Sequence, residues 1–280
     1  TVALGAVLAL LGEDLSSMRQ IIHEEFGRKG DEVVGHNYVA LETGFSFVAT
    51  SCKECIRPAF VGKQQLRRMF LNGHEALSAG AIKAGCTFIA AYPMTPGSSI
   101  LHFLAAQETN HSIVVKHAED EIAAMNMVVG AGFAGVRAMT ATSGGGFCLM
   151  TEALGLAAQS ETPVVVVLAQ RPGPATGQPT HTSQTELDFA LHASQGEFPR
   201  LVLAPGDAQE CFFETFNAFN CAERFQIPAL ILTDKYLAES YTTQDIFDDA
   251  SLRIDRGKLL TQEQLVVGKT YKRYAISDDG

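Results

Sequence analysis

The sequence lacks any apolar run close to the roughly 20 residues that a membrane-spanning helix needs. Basic residues are also in short supply: Lys and Arg number 21 against 31 Asp and Glu, giving a net charge of -10. That charge has the wrong sign for a general nucleic-acid binder, which must neutralise phosphates. We therefore predict a soluble, cytoplasmic protein that binds neither a membrane nor nucleic acid.

Cysteine is sparse, with six residues in a chain of 280, so the fold does not need a disulfide scaffold and reduced thiols are expected. Only Cys52 and Cys55 have the spacing of metal ligands. A single CxxC motif without a second pair or a nearby His is weak support for zinc. No metal site is predicted, and the role of this pair stays open.

The two ends lack the features of a complete chain. Thr1 opens within a helical pattern, without an initiator Met or a signal peptide, and residues 274–280 stop without a closing element. We expect a piece of a longer polypeptide, truncated at both ends. The composition that is present, 46% hydrophobic and 19% charged, is that of a globular protein with a sizeable core.

The pattern along the chain predicts four segments. Residues 1–50 have helical periodicity and predict the C-terminal part of one domain, and residues 51–71, with five basic residues, a proline and a glycine, indicate a linker. Residues 72–236 alternate helices with short apolar strands, which is typical of a doubly wound α/β domain whose parallel sheet is buried on both faces. Residues 237–280 are polar and acidic and predict a connector to a missing C-terminal domain.

Three short motifs resemble common nucleotide-binding or catalytic motifs, but the order of the surrounding elements or a key residue does not match. Residues 130–135, GAGFAG, follow a helix and precede a strand, the reverse of a dinucleotide-binding fold. We predict instead that these glycines end the helix and let it pack closely on the sheet. The segment VVGKT, residues 266–270, ends like a phosphate-binding loop, but Glu263 occupies the upstream position where that loop needs its first Gly. Ser143 is not in a nucleophile elbow, because Ala141 stands where that motif needs Gly.

Unusual polar residues occupy the loops after successive strands, and parallel strands bring such loops to one edge of a sheet. Thr95 lies between two prolines that restrict the backbone, which fits either a structural turn or a positioned hydroxyl. Glu121 lies in the first turn of a helix, where any acid stabilises the helix dipole, but it shares a face with apolar residues. A carboxylate on that face would be desolvated, its pKa raised, and poised to exchange a proton with a ligand nitrogen.

Two further loops suit a ligand. Ser143 precedes a turn predicted at residues 144–146, where glycine allows the backbone to approach a ligand and the next helix offers free amides. Arg171 is the one permanent cation of a long Gly- and Pro-rich loop that starts at Gln170. Its guanidinium can grip a carboxylate through two hydrogen bonds, although taken alone it fits a surface arginine equally well.

These segments together resemble the alpha subunit of the 2-oxoacid:ferredoxin oxidoreductases, most closely the 2-oxoglutarate synthase type in its fused gamma–alpha form. Residues 1–50 resemble the end of the gamma domain of that family. The match covers residues 72–236 almost continuously, through NGHEALSAGAIKAGCTFIAAYPMTP, AEDEIAAMNMVVGA, AMTATSGGG, LMTEALGLAAQSETPVVVV, QRPGPATGQPT and GEFPRLVLAPGD.

The resemblance implies the pyrimidine-binding half of a thiamine diphosphate site. Glu121 matches the glutamate that hydrogen-bonds the aminopyrimidine ring and promotes loss of the thiazolium C2 proton. Thr95 matches the hydroxyl that faces the reacting centre and the substrate, whereas Arg171 and Thr180 match residues that orient the 2-oxoacid. The other expected cofactor contacts are Tyr92, Pro93, Ser143 and Gly144.

The implied reaction is the CoA-dependent oxidative decarboxylation of a 2-oxoacid, with 2-oxoglutarate expected and electrons passed singly through iron–sulfur clusters to ferredoxin. A beta subunit is expected to hold the diphosphate, Mg²⁺ and the cluster, so that this chain is inactive without it. The alternatives are a relative acting on pyruvate, branched-chain or indole oxoacids, and a non-catalytic scaffold domain. Gly145 and Gly97 stand where the family usually has Pro and Ser, which leaves loop geometry and substrate choice open.

Overall fold

The structure is a computed structural model that describes residues 1–57, 67–265 and 271–276. The chain divides into two compact units, residues 1–66 and 67–280. Pro58 and Gly62 of the predicted linker lie outside the described residues, as does the VVGKT motif. None of the helices in the described ranges has the length and apolar character needed to cross a membrane.

The described part of the first unit is helical, as its periodicity predicts. Its helices are α1 (Val2–Leu11), α2 (Ser16–Phe26) and α3 (Asp31–Ser51). Helices α1 and α3 approach so closely that a Cβ added at Gly5 would lie 1.9 Å from the Leu41 carbonyl oxygen, and one at Gly44 would lie 1.9 Å from that of Val2. Two glycines therefore allow the backbones of these helices to touch.

Cys52 and Cys55 are joined by a disulfide across a single 3-10 turn, so the prediction of reduced thiols is wrong for this pair. The intervening turn brings their Cα atoms to 5.3 Å, within the range that a disulfide spans. The other cysteines, Cys86, Cys148, Cys211 and Cys221, are free. Within the described ranges, no group of three or more His, Cys, Asp or Glu side chains is placed to hold a metal ion.

The second unit alternates strands and helices. Its strands are β1 (Arg68–Leu71), β2 (Phe88–Ala91), β3 (Val114–His117), β4 (Ala138–Thr142), β5 (Val164–Gln170), β6 (Leu201–Leu203), β7 (Pro228–Asp234) and β8 (Thr242–Asp245). Its helices are α4 (Gly73–Lys83), α5 (Ser98–Ala106), α6 (Glu108–His111), α7 (Glu121–Phe133), α8 (Gly144–Gln159), α9 (Leu187–His192), α10 (Ala208–Phe225) and α11 (Lys235–Glu239). Strands β2 to β7 form one parallel sheet in the order β3-β2-β4-β5-β7-β6.

The sheet is buried on both faces, which confirms the doubly wound α/β prediction. Every residue of β4, β5 and β7 is buried. Because successive side chains of a strand point to opposite faces, Val165 and Val167 join one core with α4 and α10, whereas Val166 and Leu168 join the other with α7 and α8. The continuous apolar runs of the sequence thus contribute side chains to the hydrophobic cores on both faces of the sheet.

Three local features differ from the prediction. Strands β1 and β8, which lie within the segments predicted as linker and connector, pair with each other as an antiparallel ribbon. Residues 144–146, predicted as a turn, form the first helical turn of α8, because Ser143 with its extended backbone takes the N-cap position. Helix α9 likewise follows the Gly/Pro-rich loop without a sequence signal that predicts it.

Two of the GAGFAG glycines act as predicted: Gly132 brings α7 close to the start of β5, and Gly135 follows the end of the helix. A Cβ at Gly132 would lie 2.5 Å from the carbonyl oxygen of Pro163, just before β5. Gly135 follows the helix with a φ of 85°, a left-handed conformation that glycine adopts without strain. The motif therefore has a structural role.

We predict that Gly132→Ala lowers the free energy of unfolding by ~1–3 kcal/mol, because the added methyl group overlaps the Pro163 carbonyl oxygen. Gly130→Ala in the same helix is the matched control. A Cβ there meets nothing within 4 Å, and alanine favours a helix by ~1 kcal/mol over glycine. Urea denaturation measures both variants; equal stability of the two would contradict close backbone approach at position 132.

Candidate functional site

The carboxyl ends of neighbouring strands bring the predicted site residues to one edge of the sheet. The loop after β2 carries Thr95, the residue after β4 is Ser143, and Arg171 follows β5 directly. Glu121 begins α7, shortly after β3. Parallel strands that end together in this way place their loops beside one another, which is the usual location of ligand sites in open α/β sheets.

Glu121 is buried against the first turn of α8. Asp120 caps α7, accepting a 2.7 Å hydrogen bond from the Ala123 backbone, and this directs the next side chain inward. Glu121 is 3% exposed and its Oε1 has no hydrogen-bond partner in the structure. Burial raises the pKa of the Glu121 carboxyl above its ordinary value, so the side chain is suited to holding and sharing a proton.

The absence of a side chain at Gly146 makes room for Glu121. A Cβ at Gly146 would lie 2.1 Å from Thr142 Oγ1 and 2.5 Å from Glu121 Oε1. The neighbouring Gly145 is not confined in this way, because its nearest contact would be the Ala175 carbonyl oxygen at 3.4 Å. Of these two glycines, Gly146 is the one that the buried carboxyl requires.

Arg171 connects two of the loops. Its side chain is buried, and Nη1 donates a 2.6 Å hydrogen bond to the carbonyl oxygen of Thr95. Burial lowers the pKa of Arg171, and the nearby Glu121 carboxylate opposes that shift. The surface-arginine alternative is therefore wrong: Arg171 is a buried cation that holds the backbone of the Thr95 loop.

The remaining predicted residues differ in their surroundings. Ser143 is buried and its Oγ has no hydrogen-bond partner in the structure, whereas Gly144 forms the start of α8. Tyr92 is exposed, with its ring centroid 6.2 Å from that of His117, and Pro93 is half-buried.

Thr180 is exposed, and its hydroxyl lies 3.3 Å from His181 Nδ1. Among the described hydrogen bonds, none joins Thr180 to Thr95 or Arg171. The role of Thr180 therefore stays a prediction.

Glu186, which sequence reasoning missed, is a second carboxyl at the same helix start, with one oxygen that has no hydrogen-bond partner. A Cβ at Gly144 would lie 2.9 Å from Glu186 Oε1, and Oε2 is buried without a hydrogen-bond partner. Burial raises the pKa of Glu186. The backbone N–H of Glu186 donates to Gln170 Oε1 at 3.1 Å, so the loop after β5 folds back onto the end of that strand. No motif marks Glu186, and only its position after a Gly/Pro-rich loop pointed towards the site.

This arrangement suits a ligand with both nitrogen and anionic groups. Two protonatable carboxyls, Glu121 and Glu186, lie beside the first turn of α8, and a buried guanidinium is attached to the adjacent loop. A helix start offers unpaired N–H groups to an acceptor, while a protonatable carboxyl can accept from or donate to a ring nitrogen.

Comparison with known proteins identifies the family. Residues 79–273 match the family model described as pyruvate flavodoxin/ferredoxin oxidoreductase, thiamine diphosphate-binding. The chain belongs to this family. The resemblance drawn from the motifs is thereby confirmed, and the family's cofactor fits a site around a buried glutamate with one carboxyl oxygen that has no hydrogen-bond partner.

Individual relatives within the family agree with this assignment. The chain is 37% identical over 285 residues to the alpha subunit of 2-oxoacid:ferredoxin oxidoreductase 1 of Sulfurisphaera tokodaii, covering 97% of this chain and 44% of that subunit. It is 42% identical over 197 residues to the 2-oxoglutarate synthase subunit KorA of Methanothermobacter thermautotrophicus, covering 70% and 52% respectively. The chain thus spans about half the length of the curated relatives it matches.

A solved structure has the same fold. It is the 2-oxoglutarate:ferredoxin oxidoreductase from Magnetococcus marinus with 2-oxoglutarate, coenzyme A and succinyl-CoA bound. The TM-score is 0.82 at 35% sequence identity, and the match covers 99% of this chain and 48% of that one.

We predict that Gly146→Ala displaces Glu121 and weakens thiamine diphosphate binding in the assembled enzyme by at least about tenfold, because the new methyl group would overlap the carboxyl. Gly145→Ala is the matched control and should bind within about twofold of the parent enzyme, since its Cβ has ordinary van der Waals space. Isothermal titration calorimetry with the cofactor measures both. Equal binding by the two variants would refute the role assigned to position 146.

Glu121 also predicts a dependence of stability on pH. Because its pKa is raised in the folded chain above the ordinary 4.5, folding takes up a proton between the two pKa values, and the free energy of unfolding falls as pH rises through that window. Glu121→Gln removes this titration without unfavourable burial of charge. We expect its Tm to exceed that of the parent by ~2–4 °C near neutral pH, with the difference shrinking towards about pH 4.

The control for this experiment is Glu119→Gln, which removes the same charge from an exposed position before the helix. Differential scanning fluorimetry across the pH range should show no comparable gain for it. A Glu121→Gln variant whose Tm advantage is the same at every pH would contradict the raised pKa.

Proposed function

We propose that the chain is the pyrimidine-binding part of the alpha subunit of a CoA-dependent 2-oxoacid:ferredoxin oxidoreductase, acting on 2-oxoglutarate. The observation that carries this proposal is the buried Glu121 carboxyl, unpartnered at Oε1 and held beside Gly146, in a chain of the thiamine diphosphate-binding family. The names of the relatives support the reaction, and the 2-oxoglutarate synthase subunit supports the substrate.

The residues around Glu121 fit the aminopyrimidine of thiamine diphosphate. When bound, the cofactor supplies a nucleophilic carbon that attacks 2-oxoacids and stabilises the electrons left by decarboxylation. Glu121 would hold a proton and share it with a ring nitrogen, which its raised pKa favours. The proposed contacts of the cofactor with the adjoining loops are Tyr92, Pro93, Ser143 and Gly144.

Thr95 and Arg171 are proposed to face the substrate. Arg171 donates from Nη1 to the Thr95 carbonyl, and the rest of its guanidinium is free of other described hydrogen bonds and can donate to a substrate carboxylate. The Thr95 hydroxyl would lie beside the reacting carbonyl, and Thr180 would complete the contacts to the oxoacid. Buried charge and a fixed loop together orient the substrate before reaction.

The rest of the activity requires other parts of the complex. We propose a beta subunit that holds Mg²⁺, the cofactor's diphosphate and an iron–sulfur cluster, with ferredoxin as electron acceptor and coenzyme A as acyl acceptor. Residues 1–50 are proposed as the C-terminal part of a gamma-type domain and residues 237–280 as a connector towards a further domain. The proposed location is the cytoplasm.

The catalytic role of Glu121 distinguishes an enzyme from a scaffold domain. We predict that Glu121→Ala in the complete complex lowers CoA-dependent ferredoxin reduction by at least ~10²-fold, because the proton-sharing group is lost. Gel filtration should show unchanged assembly, and the exposed Glu119→Ala is the control with near-normal turnover. Turnover of Glu121→Ala close to that of the parent would leave the scaffold alternative as the better account.

Substrate choice is tested with the complete complex and a panel of oxoacids: 2-oxoglutarate, pyruvate, a branched-chain oxoacid and indolepyruvate. We expect the highest kcat/KM for 2-oxoglutarate. A higher kcat/KM for another oxoacid of the panel would support the proposed reaction but show that 2-oxoglutarate is not the preferred substrate.

A further inference from the structure

A buried histidine behind the site takes no part in the chemistry proposed above. His74 is the second residue of α4 and is 1% exposed. The start of this helix is fixed by a capping box, in which Asn72 and Glu75 each bond the other's backbone N–H. The imidazole of His74 is therefore held in one place within the second unit.

Both ring nitrogens of His74 have partners on other elements. Nδ1 lies 2.7 Å from Ser99 Oγ at the start of α5, and Nε2 lies 2.8 Å from Thr233 Oγ1 in β7. The Ser99 hydroxyl donates at 3.1 Å to the carbonyl oxygen of Pro96, so Ser99 Oγ accepts from His74 Nδ1–H. Nε2 then accepts from the Thr233 hydroxyl, and all three polar side chains are satisfied.

The ring is held in its neutral form. Burial lowers the pKa of His74 to about 3, although the Asp234 carboxylate partly opposes this effect. A neutral imidazole has one donor and one acceptor, which is what Ser99 and Thr233 require. The directions of the hydrogen bonds are thus independent of pH in the neutral range.

The two arms of this network end at the loops of the site. Pro96 adjoins Thr95, the proposed substrate-facing residue, and Arg171 holds Thr95 from the other side. In the second arm, the Thr233 carbonyl oxygen accepts from Gln170 Nε2 at 3.3 Å, and Gln170 Oε1 accepts from the Glu186 backbone. Helix α4 is therefore linked through one imidazole to both loops.

We propose that His74 is a positioning residue, which fixes the Thr95 loop through Ser99 and the Pro96 carbonyl. An apolar residue in its place would leave the buried Thr233 hydroxyl without its acceptor and the Ser99 hydroxyl without its donor, so the bond from Ser99 to the Pro96 carbonyl would no longer be braced by α4. The contacts themselves do not depend on the activity, but their consequence for the substrate rests on the proposed role of Thr95.

The first test measures amide hydrogen exchange by mass spectrometry in the complete complex, without cofactor or substrate. His74→Leu and Ser99→Ala should each accelerate exchange in peptides covering residues 92–99 by about fivefold to tenfold. Thr215→Val is the control, because it removes a buried hydroxyl that bonds only within α10. Exchange at 92–99 that is unchanged in both variants would overturn the proposal.

His74→Asn provides the conservative variant. Its amide nitrogen reaches the position of Nδ1 and can donate to Ser99, but it does not extend to Thr233. Protection of residues 92–99 should therefore return to within about twofold of the parent complex. If His74→Asn exchanges as fast as His74→Leu at residues 92–99, the claim that His74 holds this loop through Ser99 is wrong.

The second test separates this proposal from the proposed function. In His74→Leu and Ser99→Ala complexes, kcat/KM for the oxoacid should fall about tenfold while the Kd for thiamine diphosphate stays within about twofold. If exchange becomes faster but kcat/KM does not fall, the proposal that His74 positions the loop stands, and the proposed substrate role of Thr95 is wrong. Loss of kcat/KM without faster exchange would reject positioning by His74.

Discussion

The site depends on the close approach of two helix starts, α7 with its Glu121 carboxyl and α8 with the bare backbone of Gly146. No Cβ fits between them, so the carboxyl lies against the helix without the water that would lower its pKa. The sheet makes this approach possible, since the loops after adjacent strands reach the same edge. The pKa of a chemically ordinary glutamate is thus raised by its surroundings alone.

The loops around Glu121 are held from behind by polar side chains that the sheet itself buries. Arg171 holds the Thr95 carbonyl, and His74 reaches the same loop through Ser99. Gln170 fastens the segment that carries Glu186. Loops are the mobile part of most folds, yet the Thr95 and Glu186 segments are each held by a partly buried hydrogen bond, so the groups proposed to meet a ligand would have little freedom to lose on binding.

How well the sequence predicts each feature of this structure depends on how far apart in the chain the interacting residues are. Continuous apolar strands predict the parallel sheet, and the apolar face shared by Glu121 predicts its burial, because both signals lie within a few residues. Glu186 and the β1–β8 pairing carry no such signal, since they depend on segments far apart in the chain. The prediction of a turn at residues 144–146 is wrong because glycine disfavours helices in general, whereas here its lack of a side chain is what the start of α8 requires.

The β1–β8 ribbon pairs the segment before α4 with the segment after α11 of the same unit. Arg68 pairs with Asp245 at one end of the ribbon, and Phe70 stacks on Tyr241 along it at 5.1 Å. The strand that leads into the sheet and the strand that leads out of it therefore run side by side. Pairing of these two segments holds each of them against fraying, so the two ends of the sheet's stretch of chain restrain one another instead of ending as mobile strands.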